Sequence, residues 1–341
     1  MNLWRWTLLP FSAVYGLITY LRNVFFDLGL FKTHLLEGKS ICIGNLNVGG
    51  SGKSPLTRYL MLHLQNTHSV QVLSRGYGRK TQGHLRLNHE HSAADVGDEP
   101  LMYFSVAREQ DEVHVAENRN AAIQGMDRTN GRILLLDDAF QHRRIRAGLS
   151  IVVSSFDKPF FKDFILPVGN LREWRFGIKR ADAIVYTKCP DSLSDEDKRV
   201  HNEHAHKYGI PCFFSQIIYP PLMAIGPRIV QHPTHALVVT AIARPEPLYQ
   251  HLEKQYVLTR IAFSDHHPFT LEEIQEIHQK FDTFDSSKTI VITTEKDLMK
   301  LRTASLMEKI QAYPWYVQPM DISMDREEEF LTFIQTYASE N

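Results

Sequence analysis

A glycine-rich segment early in the chain has the residue types that bind nucleotide phosphates. Residues 44–55 read Gly-Asn-Leu-Asn-Val-Gly-Gly-Ser-Gly-Lys-Ser-Pro and directly follow the apolar run Ile41-Cys42-Ile43. Glycines let backbone N–H groups surround a phosphate, a lysine can reach the β and γ oxygens, and a serine hydroxyl can hold Mg²⁺. The segment therefore predicts a phosphate loop, whose nucleotide ligands are Gly49, Gly50, Ser51, Gly52, Lys53 and Ser54.

One position of this loop departs from the usual pattern, because Asn47 stands where the first glycine is expected. The neighbouring residues favour the phosphate-loop interpretation over an ordinary turn between a strand and a helix. A β-type run precedes the loop, and Leu56 to Leu64 after it is mostly apolar and compatible with a helix.

Acidic residues follow at two further places. The apolar run Ile133–Leu136 ends in Asp137-Asp138, and Gly97-Asp98-Glu99-Pro100 contains two more carboxylates. Carboxylate oxygens suit Mg²⁺, so either aspartate of the first pair is a candidate metal ligand. A turn or helix cap is the alternative interpretation of the Asp137-Asp138 pair. For Gly97-Asp98-Glu99-Pro100 the alternative is a helix N-cap, which is compatible with a catalytic role.

Basic and aromatic residues occur in segments that are predicted to follow strands. Arg75-Gly76-Tyr77, Gln141-His142-Arg143-Arg144 and Leu171-Arg172-Glu173 would bring arginines toward one sheet edge, which suits a phosphorylated substrate. Asp265 stands beside His266 and could orient it for proton transfer. Thr294-Glu295-Lys296-Asp297 has the spacing of a helix capping box.

Length and composition restrict the class of protein. At 341 residues the chain is long enough for two domains. Lys and Arg number 38 against 39 for Asp and Glu, so the net charge of -1 gives no reason to expect a nucleic-acid partner. The three cysteines are far apart without C-x-x-C spacing, which indicates neither a disulfide framework nor a zinc site and favours a reducing compartment.

From about residue 38 short β-rich runs alternate with stretches of helical length, as a mostly parallel sheet requires. Strands are predicted at residues 40–43, 70–74, 133–136, 149–154, 183–186, 236–240, 258–263, 289–294 and 315–318. The pattern predicts an α/β fold: a P-loop NTPase-like parallel sheet sandwich in residues 31–220, a proline-rich linker in 221–235 and a smaller α/β domain in 236–341.

Residues 1–30 differ from the rest of the chain. The interval between Arg5 and Arg22 holds 16 uncharged residues, which fall short of the ~20 that span a bilayer. No small-residue cleavage site of a signal peptide follows. A narrow polar stripe on an otherwise apolar helix predicts a membrane-interfacial helix, and a helix buried in the core is the alternative. The stripe consists of Arg5, Ser12, Gly16, Thr19 and Asn23.

Taken in order, these motifs resemble those of the tetraacyldisaccharide 4'-kinases of lipid A synthesis. The resemblance rests on the phosphate loop with Gly44-Asn45, Arg75-Gly76-Tyr77-Gly78, Gly97-Asp98-Glu99-Pro100, Asp137-Asp138-x-Phe140-Gln141-His142, Leu171-Arg172-Glu173, Ala243-Arg244-Pro245 and Asp265-His266. It extends from the N-terminal helix to Thr294-Glu295-Lys296-Asp297. Where the family usually has glycine after the aspartate pair, this chain has Ala139, which leaves the candidate ligands intact.

The resemblance implies transfer of the ATP γ-phosphoryl group to the 4'-hydroxyl of a tetraacylated glucosamine disaccharide 1-phosphate. The enzyme would be a peripheral, monotopic protein at the cytoplasmic face of the inner membrane, and neither a nucleic-acid nor a protein partner is implied. The implied roles are charge neutralisation by Lys53, Mg²⁺ binding by Ser54, Asp137 or Asp138 and Glu99, proton acceptance by Asp98, and pairing of His266 with Asp98. The implied substrate or nucleotide contacts are Tyr77, Arg119, Gln141, His142 and Arg172.

Two other functions are compatible with a phosphate loop. A membrane-recruited ATPase switch of the MinD type also has a Gly-Gly-x-Gly-Lys run, but its signature lysine before the two glycines is Val48 here. A nucleotide-sensing module without turnover would leave Asp98 and the Asp265-His266 pair without a role. ATP consumption that depends on an acylated disaccharide would separate the kinase from both.

Overall fold

The computed structural model describes residues 3–128 and 131–339, with Leu3 described by its backbone alone. The chain forms two compact units. Unit 1 comprises the residues up to Arg75, then Ala107–Ile217, and those from Ile322 onward, and unit 2 comprises Gly76–Val106 and Ile218–Asp321. The chain therefore passes between the units four times. The domain boundaries given above stay a prediction.

Most strands are short and apolar. In chain order they are β1 (His34–Leu35), β2 (Ser40–Gly44), β3 (Val70–Ser74), β4 (Leu85–Arg86), β5 (Glu112–Val115), β6 (Ile133–Asp137), β7 (Ile145–Arg146), β8 (Leu149–Ser155), β9 (Ala183–Thr187), β10 (Cys212–Ile218), β11 (Met223–Ala224), β12 (His235–Thr240), β13 (Val257–Ala262), β14 (Thr289–Thr294), β15 (Trp315–Gln318) and β16 (Asp321–Met324). Every strand predicted from the sequence is present, with ends that differ by one residue at most.

Helices separate many of these strands. They are α1 (Leu9–Asp27), α2 (Lys53–Leu64), α3 (Ala93–Val96), α4 (Asp98–Phe104), α5 (Arg119–Gly125), α6 (Asp195–His206), α7 (Glu246–Leu252), α8 (Leu271–Phe281), α9 (Glu295–Leu301), α10 (Ala304–Gln311) and α11 (Glu327–Ser339), and a 3₁₀ turn, Leu3–Leu8, precedes α1.

Unit 1 is built on a parallel sheet in which β10, β9, β8, β2, β6, β3 and β5 lie side by side in that order. Strands β2, β3 and β6 are buried along their whole length, which explains why most of their residues are apolar. Because β2 lies between β6 and β8, the loops after these strands meet at one edge. That edge holds the phosphate loop, which follows β2.

Unit 2 contains a second sheet with the order β11-β15-β14-β12-β13. The four longer strands are parallel, and β11 pairs antiparallel with β15. Apolar side chains from β12 and β14 pack with α8 on one face, around Trp315 and Phe281, and with α7 on the other. The two parallel-rich sheets confirm the predicted α/β class.

The polar stripe of helix α1 faces the rest of unit 1. Ser12 donates to the carbonyl of Ile165 (2.9 Å), Asn23 donates to Glu173 (2.7 Å), and Trp174 donates to the carbonyl of Gly16 (2.8 Å). The helix is not buried in the core, because its apolar side chains face outward. Those exposed from this helix and the turn before it are Trp4, Trp6, Leu9, Phe11, Val14, Leu17, Ile18, Tyr20, Leu21 and Phe25.

Candidate active site

The phosphate loop joins β2 to α2 at the carboxyl edge of the unit 1 sheet. Gly52 adopts a φ of +88° and is followed by Lys53, the first residue of α2. A Cβ at Gly52 would lie 3.1 Å from the hydroxyl oxygen of Thr187, so a larger residue would meet both strain and crowding. The loop therefore presents its N–H groups at the start of a helix, where the dipole favours an anion.

Side chains from neighbouring strand ends brace this loop. Thr187, at the end of β9, donates to the carbonyl of Ser51 (2.6 Å), and Lys188 donates to the carbonyl of Gly50 (2.7 Å). Asn45 donates to the Ser51 hydroxyl (2.8 Å). Asn47, at the position where the usual pattern has glycine, donates to Asp163 (2.7 Å) and so ties the loop to a later segment.

The aspartate pair stands at the end of β6, beside the strand that carries the loop. Asp137 is buried and accepts a hydrogen bond from Ser74 (3.1 Å). Asp138 has a φ of +47°, which is uncommon outside glycine, and its carboxylate lies 3.8 Å from Lys53 and 3.0 Å from Arg172. Burial raises the pKa of Asp138, but the charges of Lys53 and Arg172 lower it by more, so this carboxyl is ionised.

The predicted substrate residues of unit 1 lie around this pair. Arg119 is buried and donates to the backbone carbonyls of Asp137 (2.8 Å) and Asp138 (3.2 Å). Burial lowers the pKa of Arg119, yet the two aspartates oppose that shift. Arg172 reaches Asp138 with both terminal nitrogens and also donates to Gln141 (3.3 Å). The structure brings these arginines to the carboxylates and leaves Arg172 partly exposed.

Gln141 and His142 follow the pair directly. Gln141 donates to the carbonyl of Asn45 and accepts from Arg172, so it links the loop strand to the arginine. His142 is half-buried, and its Nδ1 has no hydrogen-bond partner among the described residues. Burial, helped by the charges of Arg119, Arg144 and Arg22, lowers the pKa of His142 to about 4, so its ring is neutral at physiological pH.

Unit 2 contains a second cluster, centred on a carboxylate and an imidazole. Helix α4 begins at Asp98, after Gly97, whose φ is +93° and where a Cβ would lie 3.0 Å from the Tyr77 carbonyl oxygen. Asp98 Oδ2 lies 2.9 Å from His266 Nδ1, and its Oδ1 accepts from the Glu99 backbone N–H (2.9 Å). Only 5% of the Asp98 side chain is exposed. The structure brings together the two residues predicted to pair.

Lys296 is a member of this cluster that sequence reasoning assigned only to a helix cap. Thr294 does cap α9, because its hydroxyl accepts from the Asp297 N–H (3.0 Å). The Lys296 ammonium, however, lies 3.9 Å from Asp98, 3.7 Å from Asp265 and 3.4 Å from His266 Nε2. The signal that could have found it is a basic residue two positions after a strand end.

The members of this cluster shift one another's protonation. Burial raises the pKa of Asp98, but the hydrogen bond from His266 and the charge of Lys296 lower it by more, so the net pKa lies below the usual value. The hydrogen bond to Asp98 raises the pKa of His266 against the opposing effects of burial and Lys296. Asp98 is therefore ionised at neutral pH, and His266 keeps its proton to a higher pH than a free histidine.

Two further predicted site residues lie in unit 2. Tyr77 is exposed, and its ring centroid is 5.1 Å from that of His266. Glu99, predicted as a metal ligand, lies beside Asp98, with its carboxylate 3.9 Å from Lys296. The other predicted metal ligands, Ser54, Asp137 and Asp138, are in unit 1.

Within the described residues, no group of three or more His, Cys, Asp or Glu side chains is arranged to hold a metal ion. A nucleotide-bound Mg²⁺ needs fewer protein ligands, because it is usually held by one or two carboxylates together with phosphates and waters. Asp137, Asp138 and the Ser54 hydroxyl are chemically suited to that kind of binding. The three cysteines are free and buried.

Comparison with known proteins shows similarity to one family over nearly the whole chain. The profile of the LpxK family, described as tetraacyldisaccharide-1-P 4'-kinase, matches residues 4–339. A tetraacyldisaccharide 4'-kinase of Cytophaga hutchinsonii is 35% identical over 338 residues, which cover 96% of this chain and 94% of that protein. One from Flavobacterium psychrophilum is 38% identical over 311 residues, which cover 88% of each protein.

A solved structure is also similar over the whole chain. The crystal structure of LpxK from Aquifex aeolicus in complex with ATP aligns with a TM-score of 0.75 and 26% sequence identity. The alignment covers 98% of this chain and 99% of that one.

Proposed function

Since this chain belongs to the tetraacyldisaccharide 4'-kinase family, we propose that the phosphate loop of unit 1 and the Asp98–His266 pair of unit 2 carry the family's reaction. The protein is an ATP-dependent kinase of lipid A biosynthesis. It transfers the γ-phosphoryl group of ATP to the 4'-hydroxyl of a tetraacylated glucosamine disaccharide 1-phosphate. Family membership excludes the ATPase switch and the module without turnover.

The phosphate loop supports a nucleotide role through its N–H groups and its lysine. Lys53 begins α2, and its ammonium lies near the carboxylate of Asp138, with only 12% of its side chain exposed. In this proposal Lys53 stabilises the charge on the β and γ phosphates, and Gly49 to Ser54 position them. Because phosphoryl transfer has a loose transition state, positioning and charge stabilisation supply most of the catalysis. The supporting fold is of the P-loop NTPase type.

Mg²⁺ would be held by Ser54 and by Asp137 or Asp138, with Glu99 as a further candidate. When bound, the ion neutralises charge on the β and γ phosphates. Asp138 suits this role because Lys53 and Arg172 keep it ionised. Arg172 would itself contact phosphate oxygens as a bidentate donor, with Gln141 holding its guanidinium in place.

Asp98 is proposed as the proton acceptor. The oxygen of the 4'-hydroxyl forms a bond to the γ-phosphorus, the bond from that phosphorus to the β–γ bridging oxygen breaks, and the hydroxyl proton passes to Asp98. His266 orients Asp98 through the 2.9 Å hydrogen bond, and Lys296 stabilises the carboxylate. Tyr77, Arg119 and His142 are proposed substrate or nucleotide contacts. The buried carboxylate paired with an imidazole is the observation that carries this assignment.

The reaction itself can be tested by product analysis. Incubation with ATP, Mg²⁺ and the tetraacylated disaccharide 1-phosphate should yield a product heavier by one phosphoryl group, which fragmentation in the mass spectrometer places at the 4' position. ATP hydrolysis should depend on the acceptor. Equal ATP consumption with and without the disaccharide would contradict a kinase function.

We further propose that α1 lies in the membrane interface at the cytoplasmic face of the inner membrane, where the acylated substrate resides. Within the described residues no helix is long and apolar enough to cross a membrane. The polar stripe of α1 binds unit 1, while Phe11, Leu17 and Ile18 are 66%, 56% and 59% exposed. A contiguous apolar surface of this extent indicates a lipid or protein contact, and the substrate's acyl chains favour lipid.

A variant that replaces Phe11, Leu17 and Ile18 with glutamine should move the protein from the membrane to the soluble fraction. Loss of three interfacial side chains should weaken partitioning by roughly 3 kcal/mol, or about a hundredfold. Activity on substrate embedded in bilayers should fall, while activity on detergent-dispersed substrate should not. These changes leave the polar stripe and its hydrogen bonds to unit 1 intact, as a deletion of residues 1–24 would not.

The matched control is Val257→Gln, which alters an exposed apolar side chain in unit 2. It should leave membrane partitioning unchanged. A triple variant that stays on the membrane, or that loses activity equally in both assays with a lowered melting temperature, would show that α1 has a structural role instead.

A further inference from the structure

A cavity of about 570 Å³ opens in unit 1, where the end of α1 and the residues after it meet the segment that follows β6. Cationic and histidine side chains supply much of its lining. They are Arg22, Lys32, His34, His142, Arg143 and Arg144. Strand β1, at His34–Leu35, pairs with β7, and the His34 backbone N–H donates to the carbonyl of Arg144 (2.8 Å).

The cavity carries an excess of positive charge. Arg143 pairs with Asp27 (2.7 Å), and Arg22 donates to the backbone carbonyl of Gln141 (2.5 Å). Among the residues that the structure describes, no acidic side chain pairs with Lys32 or Arg144. The charge of Glu173, which also pairs with Arg180, acts on Arg22, so the excess positive charge of the cavity comes mainly from Lys32 and Arg144. Such a site attracts an anion, and guanidinium groups match the oxygens of a phosphate.

Apart from Asn120, the remaining wall of the cavity is apolar. It contains Phe26, Leu30 and Phe31, and the Phe26 ring lies 5.2 Å from that of Phe31. The guanidinium groups of Arg22 and Arg143 lie over the Phe26 ring, 5.7 Å and 5.2 Å from its centroid. At the rim, Leu30 is 67% exposed and continues the apolar surface of α1. A free phosphate would leave this apolar wall unused.

We propose that this cavity binds the phosphodiester headgroup of an anionic membrane phospholipid, with its acyl chains along the apolar surface that α1 presents. The proposal rests on the interfacial position of α1 stated above. Basic residues beside a membrane surface attract anionic lipids, and here the charges line a cavity at the end of the proposed interfacial helix. The lipid would be a bulk component of the bilayer, distinct from the disaccharide substrate. Its phosphodiester would contact Lys32 and Arg144 and not His142, which is proposed above as a substrate or nucleotide contact.

The test uses a short-chain, monomeric lipid, so that it does not depend on α1 entering a bilayer. Isothermal titration of the full chain with dihexanoyl phosphatidylglycerol should give saturable binding. Dihexanoyl phosphatidylcholine, which has the same chains and no net charge, should bind much more weakly. Inorganic phosphate tests a simple anion site, and binding as tight as that of phosphatidylglycerol would overturn the assignment to a lipid.

Two variants assign the binding to this cavity. Lys32→Gln should weaken phosphatidylglycerol binding about fivefold, and the double variant Lys32→Gln, Arg144→Gln about 30-fold, as expected for roughly one basic contact each. The control is Lys158→Gln, Lys207→Gln, which removes two exposed lysines of unit 1 that do not line the cavity. An equal loss in the control would overturn the proposal by indicating a diffuse surface attraction.

A kinetic measurement separates the bulk lipid from the substrate. In neutral detergent, Lys32→Gln should keep the wild-type KM and kcat for the disaccharide 1-phosphate. A raised KM would assign the cavity to the substrate's own phosphate and overturn the proposal. The proposals for α1 and for the cavity can be tested separately. If α1 does not enter membranes, the protein will not bind vesicles, but it will still bind the monomeric lipid in the titration.

Discussion

Replacing Lys53 with methionine is expected to lower kcat by about two to three orders of magnitude. Methionine keeps most of the side-chain volume and removes the ammonium group that is proposed to contact the γ-phosphate. Loss of one charge contact made in the transition state typically costs roughly 3–4 kcal/mol. The measurement is kcat with saturating disaccharide acceptor, together with a thermal melt that verifies folding.

Lys207→Met is the matched control for this variant, since Lys207 is exposed in unit 1 and far along the chain from the loop. It should retain wild-type turnover. A folded Lys53→Met protein that keeps more than about a tenth of wild-type kcat would contradict the assignment.

Asp98→Asn is expected to lower kcat by about 100- to 10,000-fold, the usual contribution of a general base, with little change in ATP affinity. The amide keeps the size of the buried carboxylate and removes its ability to accept a proton. Asp285→Asn, an exposed loop residue of unit 2, is the matched control and should be neutral. A large loss of ATP affinity with near-normal kcat would instead place Asp98 among the nucleotide or metal ligands.

The pH profile provides a second readout of the same pair. While His266 is protonated, its hydrogen bond and charge hold the pKa of Asp98 low and make the carboxylate a weak base. Wild-type kcat should therefore rise with pH through the raised pKa of His266. Asp98→Asn removes the carboxylate whose basicity His266 controls, so this step should be absent from its residual rate.

Lys296→Met should move the wild-type step to higher pH. The charge of Lys296 lowers the pKa of both His266 and Asp98, so its removal raises both. A profile shifted to higher pH, with KM for ATP unchanged, is the expected result. An unshifted profile would assign Lys296 a packing role only.

The sequence predicts best the features that depend on consecutive residues. The strand, glycine turn and helix around Lys53 lie within one short segment, and the predicted strand ends agree with β2, β3 and β6. The pairing of Asp98 with His266 spans 168 residues and came from the family resemblance, since no local rule connects two such positions.

Strand β5, Glu112–Val115, was missed because half of its buried side chains are polar. Gln71 on the adjacent strand donates to Glu112 (2.8 Å), and His114 lies 3.1 Å from the same carboxylate. These partners permit burial of polar groups that a search for apolar runs excludes. Lys296 was assigned to a cap for a related reason, since its acidic neighbours come from distant segments.

For helix α1 the sequence predicts a polar stripe but not the surroundings that the stripe contacts. The polar stripe was visible in the sequence, but a stripe can face water, headgroups or protein. In the structure it faces protein, through the bonds of Ser12 to Ile165 and of Asn23 to Glu173. These contacts are specified by residues about 150 positions away, which no helical wheel includes.

The return of the chain to unit 1 after Ile322 has a consequence for biosynthesis. Tyr337, in α11, exchanges hydrogen bonds with the backbone N–H and carbonyl of Ser40 in β2, across 297 residues of sequence (3.0 Å each). Tyr59 likewise donates to Glu327 (2.7 Å). Ser40, the first residue of the strand before the phosphate loop, thus receives these two backbone contacts from a helix that is synthesised much later. During synthesis Ser40 lacks these contacts until α11 has left the ribosome, and a chain released before α11 is made lacks them altogether.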